Sequence, residues 1–282
     1  MIFVSTGGRR DLSCAEHAEF LFECGISEIE LSGGQFDPKL VTRLKKLSEA
    51  GAHLTLHNYI PHEQEAFVIN LASSDKNIID RSFDSLKRSL ALSADLNSRH
   101  FGFHAGFLLD PKPEELGKEI KPKGYQTRRS ALSRFVDNTF LLAEFARDVG
   151  VQLLVENNVI SSRNYENFNG CPLLLCNPDE ITHFFEVLNG EVSLLLDLGH
   201  LKVSANSLSF DLTEGLHRVL PFVGGVHFSD NDGYSDENKP VQLNSWFSGV
   251  ELNYHYKVIE VYNHDIKTLK QQIRTIDQII RK

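Results

Sequence analysis

Six residues carry the most reactive side chains at telling positions: His57, His104, Glu156, Asp197, His227 and Glu260. Each closes a short apolar run, as in LTLH, FGFH, LLVE, LLLD, GGVH and KVIE. Imidazoles together with carboxylates are the ligand set of Zn²⁺ or Mn²⁺, and a carboxylate-rich set shifts the balance toward harder ions such as Mg²⁺. Glu156 and Asp197 directly follow LLV and LLL, so both should be partly buried. A buried carboxylate without a cation is costly or must take up a proton, and a divalent ion removes that cost. The alternative is that these are strand-end polar groups that cap loops and helix N-termini by hydrogen bonds. Chance would put about one or two Asp, Glu or His residues at eight strand ends, where six are found.

The elements that must position these residues recur along the chain. Eight β-rich runs stand out: Ile2–Ser5, Glu28–Ser32, His53–His57, His100–His104, Val151–Glu156, Val192–Asp197, Val223–Phe228 and Lys257–Val261. Between them, apolar residues at helical spacing predict helices over Cys14–Cys24, Pro38–Ala50, Ile78–Leu96, Arg128–Val149, Pro178–Leu188 and Ile266–Ile280. Gly25, Gly51 and Gly150 follow helices where a left-handed residue is wanted. Runs such as VQLLVE and VSLLLD are almost continuously apolar, which suits parallel strands covered on both faces. Eight β-then-α units in 282 residues predict one α/β domain, a closed (β/α)₈ barrel over 1–282, better than an open doubly wound sheet. No GxGxxG or GxxxxGK[ST] loop follows a strand, which weakens a nucleotide-binding reading. Longer inserts at about 107–126 and 229–256 leave the C-terminal strand ends, where barrels build their sites. The second reads as a lid or substrate loop.

Other polar residues are placed by the same frame. His53 and His100 open strands at the opposite face. His62 follows His57 in a loop and is an alternative ligand. His200 lies three residues after Asp197, so both sit near the barrel mouth. Asp230 and Asp232 follow His227, although DNDG is also a turn signal. TGGRR (6–10) and SGG (32–34) could hold an anionic substituent through backbone N–H groups and Arg9 or Arg10, or could be solvated turns.

Composition bounds the function. The formal charge of −9 argues against non-specific polyanion binding, and hydrophobic residues at 41% with charged ones at 24% describe an ordinary soluble protein. No apolar run is long enough to cross a bilayer. MIFVSTGG lacks the basic and long apolar regions of a secretory signal. Cys14, Cys24, Cys171 and Cys176 form no CxxC pair, so reduced thiols in a cytoplasmic protein are expected.

The segments LHNYIPH (56–62), FHAGF (103–107), VENN (155–158), DLGHLKVSA (197–205), VHFSDNDG (226–233) and VIEVY (258–262) occur in an order that resembles the xylose-isomerase-like TIM-barrel superfamily. That superfamily includes sugar isomerases and epimerases and an endonuclease IV branch. The resemblance implies one divalent ion held by Glu156, Asp197, His227 and Glu260, with the two glutamates as the acid/base pair. It also implies a substrate-positioning role for His200; Asn158, Asp230 and Arg9 are further candidates for substrate binding. The Arg that such epimerases often carry six residues after the seventh-strand His is Gly233 here. The endonuclease IV branch adds His ligands matched by His57 and His104, with His62 a rival through HEQEAFVINLAS (62–73). Where that branch has Asp-x-His in the insert, this chain has Asp236-Glu-Asn238, which degrades a third zinc position.

These features lead to an expected metal-dependent isomerase or epimerase that moves a proton through an enediolate of a carbohydrate substrate. A metal-dependent phosphodiesterase and a non-catalytic sugar-binding barrel are the alternatives. A nucleic-acid partner is disfavoured by the charge. The aromatic-rich insert (Tyr234, Trp246, Phe247, Tyr254, Tyr256) could cover the substrate or a second copy of the chain in a homo-oligomer.

Overall fold

Eight parallel strands pair in sequence order and close on themselves, β1 joining β8. They are β1 (Phe3–Ser5), β2 (Glu28–Leu31), β3 (His53–His57), β4 (His100–His104), β5 (Gln152–Glu156), β6 (Ser193–Asp197), β7 (Val223–Phe228) and β8 (Tyr256–Ile259). This computed structural model describes residues 1–262 and 264–281. The (β/α)₈ barrel read from the pattern is therefore the architecture.

The outer ring comprises α1 (Cys14–Glu23), α2 (Leu40–Glu49), α3 (Lys76–Asp95), α4 (Arg128–Asp148), α5 (Ser162–Phe168), α6 (Pro178–Leu188), α7 (Leu198–Leu208), α8 (Leu212–Val219) and α9 (Ile266–Ile280). Side-chain caps fix several starts. Asp75 accepts from the Asn77 N–H and so begins α3 two residues ahead of the expected Ile78. Ser13 and Glu16 form a reciprocal capping box on α1. Helices α5, α7 and α8 were not among the expected ones. Helix α7 starts with no intervening loop, because Asp197 ends β6 and caps α7 at once.

Strand alternation divides the core. Ile29, Leu54, Leu56, Phe101, Phe103, Leu153, Val155, Leu194, Leu196, Val226 and Ile259 pack outward into the cluster under the helices. Leu154, Leu195, Tyr256 and Val258, with Phe3, form a separate cluster inside the barrel. Two inward positions must stay small. A Cβ at Gly102 would lie 2.7 Å from Leu195 Cδ2 and 3.2 Å from His57 Cδ2, and one at Gly225 would lie 2.6 Å from Tyr256 Cδ1. The missing side chains make room for His57 and for the Tyr256 ring.

Most aromatics of the insert after β7 pack into the barrel rather than being left free to cover a substrate or a second copy. Phe247 is fully buried against Phe228, Trp246 packs on Phe247, and Tyr256 belongs to β8. Only Tyr234 of the five is strongly exposed. The four cysteines are free thiols. Among the described residues no helix is long and apolar enough to cross a membrane.

Candidate metal centre

The strand ends converge. Asp197 Oδ2, Glu156 Oε1 and Glu260 Oε2 lie 3.8, 3.3 and 3.4 Å from His227 Nδ1. These four residues offer ligand atoms that all lie within 4.8 Å of one another. His57, His104 and Glu156 form a second such group, so Glu156 is shared. His57 Nε2 stands 2.6 Å and His104 Nδ1 3.1 Å from Glu156 Oε2. Asp197, Glu156 and His227 are wholly buried, whereas the His104 side chain keeps 34% of its surface exposed, which marks the open side.

Each member of the four-residue group commits one polar atom to the scaffold. Asp197 Oδ1 accepts from the His200 N–H, closing the α7 cap at 2.6 Å. His227 Nε2 donates to Glu30 Oε2 at 3.0 Å. Glu156 Oε2 accepts from His57, and Glu260 Oε1 accepts from the Tyr262 hydroxyl at 3.1 Å. The other atoms face the centre. Glu156 Oε1, Asp197 Oδ2, His227 Nδ1 and, in the second group, His104 Nδ1 are buried without a hydrogen-bond partner. Buried polar atoms are paired in the great majority of cases, so the three orphans on Glu156, Asp197 and His227 that face one point fit a divalent cation. Three carboxylates with imidazole suit Zn²⁺ or Mn²⁺.

The electrostatics follow from burial and proximity. Burial pushes the Asp197 carboxyl up to about 7; Asp236, Glu156 and Glu260 push the same way and His200 opposes. Burial would also raise Glu156, but His104, His57 and His227 together hold it well below the usual range. For His227, burial is outweighed by Glu30, Glu260 and Glu156, which raise it well above its ordinary value. Burial brings His104 down to about 4, leaving it neutral with a free lone pair.

The remaining expected residues fall in different places. His57, not His62, joins the cluster; His62 Nδ1 is buried and unpaired and belongs to none of the ligand groups. His200 stands beside it, with Nδ1 donating to the Asn157 carbonyl at 2.8 Å and Nε2 3.3 Å from Asp236. Asn158, expected to face substrate, instead donates its amide to the carbonyls of Ala105, Gly106 and Leu174. Asp230 is taken up by Lys202 and Ser245, both at 2.7 Å, and braces the insert. Arg9 makes a paired contact with Asp11 and lines a cleft of about 480 Å³ with His17 and Tyr262. Its charge is thereby matched within its own turn. His200 and Asp236 join none of the ligand groups found among the described residues, and Asn238 adds no imidazole there.

One cluster residue escaped the sequence reading. Glu30, in the middle of β2, is fully buried, and with His57 and Glu260 it forms a third convergent group. Its signal was a charge at an inward position between the outward Ile29 and Leu31.

Solved structures share this architecture. A D-tagatose 3-epimerase-like protein superposes with a TM-score of 0.65 at 18% identity, over 99% of this chain and 97% of that one. D-psicose 3-epimerase from Clostridium cellulolyticum gives 0.67 at 14%, over 99% of both chains. Endonuclease IV from Thermus thermophilus gives 0.57 at 16%, over 99% and 98%. No curated protein matches the chain in sequence. The family model described as the xylose isomerase-like TIM barrel matches residues 18–258, and the chain belongs to that family.

Proposed function

We propose that the protein is a divalent-cation-dependent isomerase or epimerase of a sugar or sugar derivative, transferring a proton at the carbon next to a carbonyl. The observation that carries this reading is the ring of orphaned atoms on Glu156, Asp197 and His227, completed by Glu260. A cation held by these four supplies Lewis-acid stabilisation for charge that develops on the substrate carbonyl. The chain supplies the rest. Glu156 and Glu260 come from β5 and from the end of β8, so they approach the centre from well-separated strands of the barrel. One removes the proton and the other returns it, a contribution of about 10²–10⁴-fold. Tyr262 holds Glu260 by its Oε1, which leaves Oε2 facing inward. His200, fixed through Nδ1 by Asn157, points Nε2 toward Asp236 and can orient a substrate hydroxyl. The structural similarity to the D-tagatose 3-epimerase-like protein and to D-psicose 3-epimerase supports a carbohydrate substrate.

The test is solvent exchange. Free and phosphorylated ketoses incubated with the protein in D₂O should gain deuterium next to the carbonyl. Chelator and Glu156→Gln should both abolish the exchange. No exchange with any ketose by a metal-loaded wild-type protein would overturn the reading.

The His57–His104–Glu156 group favours a second reading. A second cation there, sharing Glu156 with the first, would form a two-ion clamp suited to phosphodiester hydrolysis. The similarity to endonuclease IV supports it. Two tightly bound ions with cleavage of a phosphodiester, and no deuterium uptake, would select this reading.

A further inference from the structure

Glu30 is a wholly buried carboxylate of the barrel interior that lies outside the four-residue group and touches it through His227. Its Oε2 accepts from the Tyr256 hydroxyl at 2.5 Å and from His227 Nε2 at 3.0 Å. A carboxylate flanked by two donors can only accept, so His227 must carry its proton on Nε2. In the neutral imidazole, the form a cation binds, the lone pair of Nδ1 then faces Glu156, Asp197 and Glu260. Tyr256 reaches Glu30 from the far end of the interior, its ring seated where Gly225 has no side chain. A reversed tautomer would break the Glu30 contact and turn an N–H into the centre, where a cation cannot sit.

We infer that Glu30 and Tyr256 form a positioning pair that locks the His227 tautomer and so sets the cation affinity of the Glu156–Asp197–His227–Glu260 group. The inference rests on the cation reading of that group. Neither residue touches substrate, and neither belongs to the four-ligand set. Carboxylate partners of metal-ligating histidines commonly change affinity by about 10–100-fold when removed.

Two variants test the pair. Glu30→Leu removes the acceptor at nearly unchanged volume and leaves the Tyr256 hydroxyl and His227 Nε2–H unpaired, so its fold is checked first by circular dichroism. Tyr256→Phe keeps the ring in its Gly225 seat and removes only the hydroxyl. Calorimetric titration of chelator-stripped protein with Zn²⁺ and Mn²⁺ should show Glu30→Leu binding about 10–100-fold more weakly than wild type at unchanged stoichiometry. Tyr256→Phe should fall between them. Nitrogen-15 spectra of metal-free protein, followed upward in pH until the imidazolium favoured by Glu30, Glu260 and Glu156 loses a proton, should report an Nε2-protonated His227 in wild type and a mixture of tautomers in Glu30→Leu. A purely structural role would not move that signature.

Each result decides something. Wild-type protein that binds no cation overturns the cation reading. Wild-type binding that Glu30→Leu leaves equally tight overturns the pairing alone. A lost ion rather than a weakened one would make Glu30 a ligand, through its orphaned Oε1, and would also overturn the positioning role.

Discussion

Asp197→Asn changes the chemistry of a single atom at the centre. Oδ1 keeps its place as the cap of α7, where Asn serves as well as Asp. The orphaned Oδ2 becomes an NH₂ group facing Glu156 and Glu260. In metal-free protein this relieves a buried carboxylate that burial and three neighbouring carboxylates push up to about 7. The sign follows from the raised value. The folded protein keeps a proton that the unfolded chain gives up near its ordinary value of 3.8, so stability falls as pH rises through about 7. Asn has no proton to lose, and its new donor satisfies an atom whose isolation costs about 1–3 kcal/mol. Metal-free Asp197→Asn should therefore be the more stable protein at about pH 8, by about 2–12 °C in Tm at roughly 2–4 °C per kcal/mol. The gap should narrow toward about pH 5.5, where Asp197 in the wild type holds its proton. Cation reverses the order. At about a hundred times Kd, wild type gains about 2.7 kcal/mol, while the variant gains less because its amide oxygen is committed to the cap and one ligand of the four-residue group is lost. Thermal unfolding in chelator and in Mn²⁺ or Zn²⁺ reads both halves. A variant less stable than wild type in chelator, with an undiminished metal-induced shift, would refute the assignment of Oδ2 to a cation.

Further substitutions separate ligands from framework. Glu156→Gln should abolish binding of every cation, whereas His104→Ala should leave one ion on the four-residue group; metal analysis after dialysis counts them. Gly102→Ala forces a methyl to 2.7 Å from Leu195 and 3.2 Å from His57, so overpacking should lower stability by about 1–3 kcal/mol in urea unfolding. Asn158→Ala strips the donor from three buried carbonyls and should lower stability by about 2–4 kcal/mol with cation affinity unchanged by calorimetry. Burial, aided by Arg9, holds His17 below its ordinary 6.5 against the Thr6 carbonyl and Asp11. The unfolded chain then takes up a proton that the folded one refuses, so stability drops as pH falls below about 6.5. His17→Gln should flatten that slope in denaturant midpoints.

Much of the barrel was legible because its two signals are local. A continuous apolar run ending in a polar residue marks a parallel strand, and the expected strands agree with the observed ones within two residues at either end. What stayed hidden depends on tertiary context. Helix α7 has no loop before it, and its cap is a residue already read as a strand end. The seven-residue α5 is too short to show a period. For the cluster, strand-end position brought out His57, His104, Glu156, Asp197, His227 and Glu260, which the fold gathers at one mouth. Nearness to the mouth does not say whether a side chain turns inward, as Asn158 and Asp230 show. Asn158 turns back to clamp three carbonyls, and Asp230 turns to Lys202. Glu30 was missed because it lies within a strand rather than at its end, where only alternation, not position, reveals an inward charge.

The half-committed pattern bears on why the chain tolerates so polar an interior. Were the cluster a fortuitous set of strand-end caps, its atoms would be satisfied wherever a partner was near, and the orphans would scatter. Instead the satisfied atoms each take a separate partner: Asp197 the α7 backbone, His227 Glu30, Glu156 His57 and Glu260 Tyr262. The unsatisfied ones point to each other. Such an arrangement holds each side chain in one rotamer before any ligand arrives, so binding need not bear the cost of ordering them. It also leaves the metal-free protein with several buried atoms that cost about 1–3 kcal/mol each. A barrel with an apolar cluster beneath the mouth and a second under the helices can carry that burden, and a cation bound by the ring would recover it.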